Sequence, residues 1–133
     1  MQSGGNKLRL LVVDDEPDIR LMLSLFFQNA GHDVVAMPSA PEALRAAQND
    51  RFDAVIADIG MPMMDGYELA RALREVSGYA TVPLIAVTGF VEYSNRERAL
   101  EAGFNERLSK PINLSALLKL IASLGASGRS REN

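Results

Sequence analysis

The feature that most constrains this chain is an alternation. Short apolar runs rich in β-branched residues, at 8–13, 33–37, 52–58 and 82–87, are separated by stretches whose apolar residues recur at helical spacing, and a fifth short run occupies 106–109. Strands joined in this way pair in parallel, because each parallel connection needs a crossover element, and runs apolar almost throughout are buried on both sheet faces. The expected class is therefore α/β: a doubly wound, five-stranded parallel sheet with helices on both faces.

The intervening stretches carry their own start and stop signals. Pro17 suits a first helical turn, and Ile19, Met22, Leu23, Phe26 and Ala30 follow helical spacing up to Gly31, with Leu21, Leu25 and Phe27 widening the apolar surface. Ser39 and Glu42 make a capping-box signature for a second helix. Leu69, Ala70, Leu73 and Val76 mark a third, closed by Ser77 and Gly78; residues 92–102 read as a polar fourth. Asn113 is the expected N-cap of a fifth, with Leu114, Leu117, Leu118, Ile121 and Leu124 on one face. Residues 1–7 and 125–133 are small and polar and are expected to be flexible ends around a single domain spanning 8–124, a length at which one core suffices.

Composition removes several function classes. With 14 basic and 17 acidic residues the net charge is -3, so there is no basic excess to support direct nucleic-acid binding. There is no cysteine, hence no disulfide framework, thiolate site or cysteine nucleophile, and no Gly-x-x-x-x-Gly-Lys phosphate loop. The apolar runs are too short to insert in a membrane, and a cytoplasmic location is expected. The single histidine, His32, reads as an exposed loop residue, and Met61, Met63 and Met64 as loop packing.

Chemistry gathers at the carboxyl ends of the runs, where Asp14 and Asp15, Asp58, Thr88, and Lys110 follow the first, third, fourth and fifth. In open parallel sheets these ends meet where strand order reverses, which is where such sheets bind ligands. Three carboxylates in one crevice repel one another, and a hard divalent cation such as Mg²⁺ relieves the repulsion. A carboxylate kept ionised there can attack a phosphoryl group if the charge on its oxygens is met. Lys110 offers a compact positive charge, Thr88 a hydroxyl, and the Ile59 and Gly89 amides further donors.

At Val12-Val13-Asp14-Asp15, Asp58 through Gly66, Val87-Thr88-Gly89 and Lys110-Pro111, the sequence resembles the receiver domain of bacterial two-component response regulators, over essentially residues 8–124. The resemblance implies a flavodoxin-like (βα)5 fold with strand order 2-1-3-4-5. It implies Asp58 as phosphoacceptor; Asp15, Asp58 and the Gly60 backbone carbonyl as direct ligands of Mg²⁺, with Mn²⁺ as an alternative; and Asp14 acting through a metal-bound water. Thr88 and Lys110 match the hydroxyl and the lysine that meet the phosphoryl group, and the bond before Pro111 is usually cis in the family. The donor would be a histidine kinase or a histidine phosphotransfer protein, docking against the first helix at Leu21 and Leu25 and near Pro111. Output would be a phosphorylation-dependent homodimer or another partner on the face of the fourth helix, fifth strand and fifth helix.

One departure concerns that output: Arg107 stands three residues before the lysine, where the family often has Tyr or Phe as a rotating switch beside Thr88. The stretches 58–71 and 102–104 look most like receivers attached to hybrid sensor kinases. Two other readings remain at this level. One is a receiver-like docking module that is never phosphorylated, which the intact Asp15, Asp58, Thr88 and Lys110 set speaks against. The other is an aspartate-nucleophile phosphohydrolase, which commonly carries a second acid two residues after the nucleophile, where this chain has Gly60.

Overall fold

A computed structural model describes residues 7–89 and 96–132, with side chains as far as residue 124. Strands and helices alternate: β1 (Arg9–Val13), α1 (Pro17–Asn29), β2 (Asp33–Met37), α2 (Ala40–Asn49), β3 (Ala54–Asp58), α3 (Gly66–Arg74), β4 (Leu84–Thr88), α4 (Arg96–Ala102), β5 (Glu106–Ser109) and α5 (Leu114–Glu132). The strands pair in parallel in the order β2-β1-β3-β4-β5, the flavodoxin-like order that the resemblance implied. β3 is central with β1 and β4 beside it, and β2 and β5 form the edges.

The two-residue period of the strands sorts the core into two layers. Leu11, Val13, Val55, Ala57, Leu84 and Ala86 pack with the small and aliphatic faces of α2, α3 and α4, including Ala43, Leu69, Leu73 and Ala99. Leu10, Val12, Ala54, Ile56, Ile85 and Val87 pack on the other side with Leu23 and Phe27 of α1 and Leu117 and Ile121 of α5. Complete burial of a Leu or Phe side chain stabilises the fold by about 1.5–3 kcal/mol, so a few such anchors dock each helix.

α1 differs from the sequence expectation in phase. Phe27 belongs to the buried stripe with Ile19, Leu23 and Phe26 rather than to a widened surface, while Leu21 and Leu25 are 59% and 56% exposed. Phe27 continues the i, i+4 series of Ile19 and Leu23, whereas Leu21 and Leu25 project between Gln28 and Asp18 on the polar side of the helix. The helix ends as expected at Gly31, which takes φ +98° so that the Gly31 and His32 amides can reach the Gln28 and Phe27 carbonyls.

His32 is not an exposed loop residue. It is half-buried, and its Nδ1 accepts the Leu8 amide at 3.0 Å, tying this turn to the start of β1; burial lowers the pKa of its imidazole. β4 begins at Leu84 because Pro83 has no N–H to give the ladder. The Leu84 amide is instead met by Asn105 Oδ1 at 2.8 Å. Asn113 caps α5 through a bond from the Ala116 amide at 3.0 Å. The backbone of α5 then continues through 125–132, where the sequence suggested a flexible tail; once a docked face nucleates a helix each further residue adds a hydrogen bond, and no proline intervenes to stop it. The residues expected to open the fourth helix, 92–95, lie outside the described residues.

Candidate functional site

Strand register builds the site. Val13 pairs with Ala57, so the next residue of each chain segment, Asp14 and Asp58, emerges side by side at the centre of the sheet. Asp58 pairs with Val87, and Thr88 with Ser109, which brings Thr88 and Lys110 to the same end from the other side. Asp14, Asp58 and Thr88 are buried, while Asp15 is exposed at the mouth.

Asp14, Asp15 and Asp58 each present a carboxylate oxygen within 4.8 Å of the others. Lys110 Nζ reaches into this group, 3.1 Å from Asp14 Oδ2 and 3.7 Å from Asp58 Oδ2. One ammonium does not balance three acids. Burial, reinforced by Asp14, pushes the Asp58 carboxyl up to about 6 against the opposing pull of Lys110 and the Gly60 amide. An excess of close oxygen donors and negative charge fits a hard divalent cation.

The surrounding backbone holds these groups in place. The Gly60 amide donates to Asp58 Oδ1 at 3.4 Å, and the Glu16 amide to Asp14 Oδ1 at 2.9 Å. Arg20 Nη1 donates to the Asp14 carbonyl at 2.8 Å. After β3, the Gly66 amide returns to the Ile59 carbonyl at 2.9 Å, and Asp65 and Glu68 form a complete capping box that pins the loop to α3. The loop itself buries Met61 but leaves Met63 94% exposed with φ +73°, so the three methionines do not all serve packing.

Most residues singled out in the sequence meet here: Asp14, Asp15, Asp58, Ile59, Gly60, Thr88, Gly89 and Lys110 share one end of the sheet. The Lys110–Pro111 bond is cis. Arg107 stands opposite Ala86, on the sheet face that carries α4, and Thr88 is two residues on from Ala86 along the same face. Leu21 and Leu25 lie one turn apart on the exposed side of α1. Glu16 went unassigned, although it completes the acid run after β1: its Oε1 is 3.2 Å from Lys110 Nζ.

The chain matches the model of the response regulator receiver domain over residues 10–122. It belongs to that family. The receiver domain is 35% identical over 118 residues to Sensor protein EvgS of Escherichia coli, covering 89% of this chain but only 10% of EvgS. Among solved structures it is similar to the chemotaxis response regulator CheY4 of Vibrio cholerae, with a TM-score of 0.82 at 34% identity, covering 90% of this chain and 99% of that one. It is similar also to the receiver domain of the sensor histidine kinase PA1611 of Pseudomonas aeruginosa, with a TM-score of 0.83 at 28% identity over 91% of this chain and 99% of the other; that structure holds a magnesium ion in its active site cleft.

Family membership makes the receiver domain a phosphoacceptor of two-component signalling, and nothing favours a phosphohydrolase or a silent docking module. Receiver domains bind Mg²⁺ at an acidic pocket and interact with histidine kinases or phosphotransfer proteins; the Asp14–Asp15–Asp58 cluster is the corresponding pocket in this fold. Among the described residues, no helix is long and apolar enough to cross a membrane.

Proposed function

We propose that this receiver takes a phosphoryl group from a phosphohistidine onto Asp58 and assists both that transfer and its own later dephosphorylation. The observation that carries the reading is Lys110 Nζ standing 3.1 Å from Asp14 and 3.7 Å from Asp58 within a cluster of three carboxylates. Asp15, Asp58 and the Gly60 carbonyl would hold Mg²⁺, or Mn²⁺, directly, with Asp14 contributing through water. Bound there, the cation neutralises charge on the phosphoryl oxygens.

Asp58 Oδ attacks the phosphorus, the P–N bond breaks, and the imidazole leaves with the electron pair. Lys110, the Thr88 hydroxyl and the Ile59 and Gly89 amides meet the phosphoryl oxygens as charge spreads over them. In the later dephosphorylation, water attacks the phosphorus of the aspartyl phosphate, the bond to Asp58 Oδ breaks, and inorganic phosphate leaves with the carboxylate restored.

The donor is a histidine kinase or histidine phosphotransfer protein in the cytoplasm. It seats its helices on the exposed Leu21 and Leu25 of α1, with Pro111 at the edge of the contact. Thr88 drawn toward the phosphoryl group changes the shared face on which Arg107 lies, and the α4–β5–α5 surface passes that change to a partner or a second copy.

Intact mass after incubation with Mg²⁺ and acetyl phosphate tests the reading. A single phosphoryl adduct that disappears in Asp58→Asn and with chelator is expected. An adduct that persists in Asp58→Asn would overturn the assignment.

A further inference from the structure

We propose that Glu16 is a positioning residue that competes with the phosphoryl group for Lys110, holding the ammonium in the unphosphorylated receiver and so lowering the site's affinity for a phosphoryl anion. The inference rests on Asp58 being the phosphoacceptor. Glu16 is the N-cap of α1, where a shorter Ser, Thr, Asp or Asn side chain ordinarily accepts from a free helix amide. Its side chain makes no such bond. It turns away instead, placing Oε1 3.2 Å from Lys110 Nζ, while its backbone amide holds Asp14 Oδ1 at 2.9 Å.

Lys110 therefore has three acid partners: Asp14 at 3.1 Å, Glu16 at 3.2 Å and Asp58 at 3.7 Å. Two of the three ammonium N–H donors are hydrogen-bonded to Asp14 and Glu16 and Asp58 is met only at ion-pair distance, so a phosphoryl group on Asp58 draws the ammonium toward itself against the hold of Asp14 and Glu16. The partners differ in what release entails. The Asp14 and Asp58 side chains are 4% exposed and would be left as unmatched buried charges, whereas that of Glu16 is 62% exposed and passes to water. Glu16 is thus the partner that yields.

Its grip is that of a largely exposed pair, equivalent to an effect of about two- to five-fold on binding. The test is calorimetric titration of beryllofluoride, a phosphoryl mimic, into the whole chain at a Mg²⁺ concentration saturating each variant. Glu16→Gln is expected to bind about two- to five-fold tighter than wild type, and Glu16→Asp, which keeps the charge, to stay nearer to wild type. Asp18→Asn removes an acid from the same first turn that makes no ion pair with Lys110 among the described residues, and it is expected to change little.

Unchanged or weaker binding in Glu16→Gln overturns the competition. An equal gain in Asp18→Asn also overturns it, since net charge alone would then explain the effect. A wild-type chain that binds no beryllofluoride at all overturns the phosphoacceptor reading on which it rests.

Discussion

Gly66 lies against the backbone of Asp58 so closely that a Cβ there would stand 2.5 Å from the Asp58 carbonyl oxygen and 2.7 Å from Ile59 Cα. The obstacle is backbone on both sides, so no rotamer change relieves it. Gly66→Ala must push the start of α3 away from the end of β3. Overpacking of this kind destabilises by about 1–3 kcal/mol. Because Asp58 ends β3 and the Gly60 carbonyl lies in the loop that follows it, Mg²⁺ affinity should fall as well. Denaturant unfolding and Mg²⁺ titration on the same sample check both, and unchanged values in either would contradict the geometry.

Asp58 is placed for chemistry at the expense of stability. Its folded-state pKa is raised from 3.8 to about 6, chiefly by burial, so the folded form holds this proton more tightly than the unfolded chain. That contribution to stability is fully present below pH 4 and is lost as pH rises through 6. Asp58→Asn should therefore stabilise the metal-free protein by about 1–3 kcal/mol at pH 7.5 and by much less near pH 4. Thermal unfolding in chelator at the two pH values reads this out. The same proton competes with cations, so Mg²⁺ affinity of the wild type should drop below pH 6.

The exposed side of α1 offers a separable test of partner choice. Leu21 and Leu25 contribute little to the core at 59% and 56% exposure, so Leu21→Glu and Leu25→Glu should alter stability by less than about 0.5 kcal/mol. Phosphorylation by acetyl phosphate should be unchanged, and transfer from a phosphorylated histidine phosphotransfer protein slowed. Equal slowing with both donors would remove α1 from the recognition surface.

Met63 holds φ +73° with almost its whole side chain in solvent. A non-glycine residue in this region costs about 1–2 kcal/mol, partly offset in a glycine variant by the larger entropy of the unfolded chain. Met63→Gly should raise stability by about 0.5–1 kcal/mol, measured by denaturant midpoint. A fall would mean that Met63 makes a stabilising contact in solution.

The sequence made the strands legible because each apolar run is closed by a polar or turn residue, and it made the site legible because Asp14, Asp58, Thr88 and Lys110 sit at those closures. What it hid depended on distance. His32 meets an amide 24 residues away, and Glu16 meets an ammonium 94 residues away. Arg74 sits in the last turn of α3, and its guanidinium donates to the carbonyls of Tyr79, Val82 and Gly103. Such pairings have no periodicity. For α1 the inward side was legible by spacing, since Phe27 lies four residues on from Leu23 and eight from Ile19, while Leu21 and Leu25 fall between Gln28 and Asp18.

Among the described residues the strand order leaves β2 and β5 each with an unpaired outer edge, the kind of surface that can template strand addition. Both are blunted: β2 opens on Asp33 and is followed by Pro38, and β5 carries Glu106 and Arg107 and runs into Lys110-Pro111. Charge and proline make both borders poor seeds for aggregation. Contact between two copies, where it occurs, is thereby left to side chains on the helices rather than to backbone pairing.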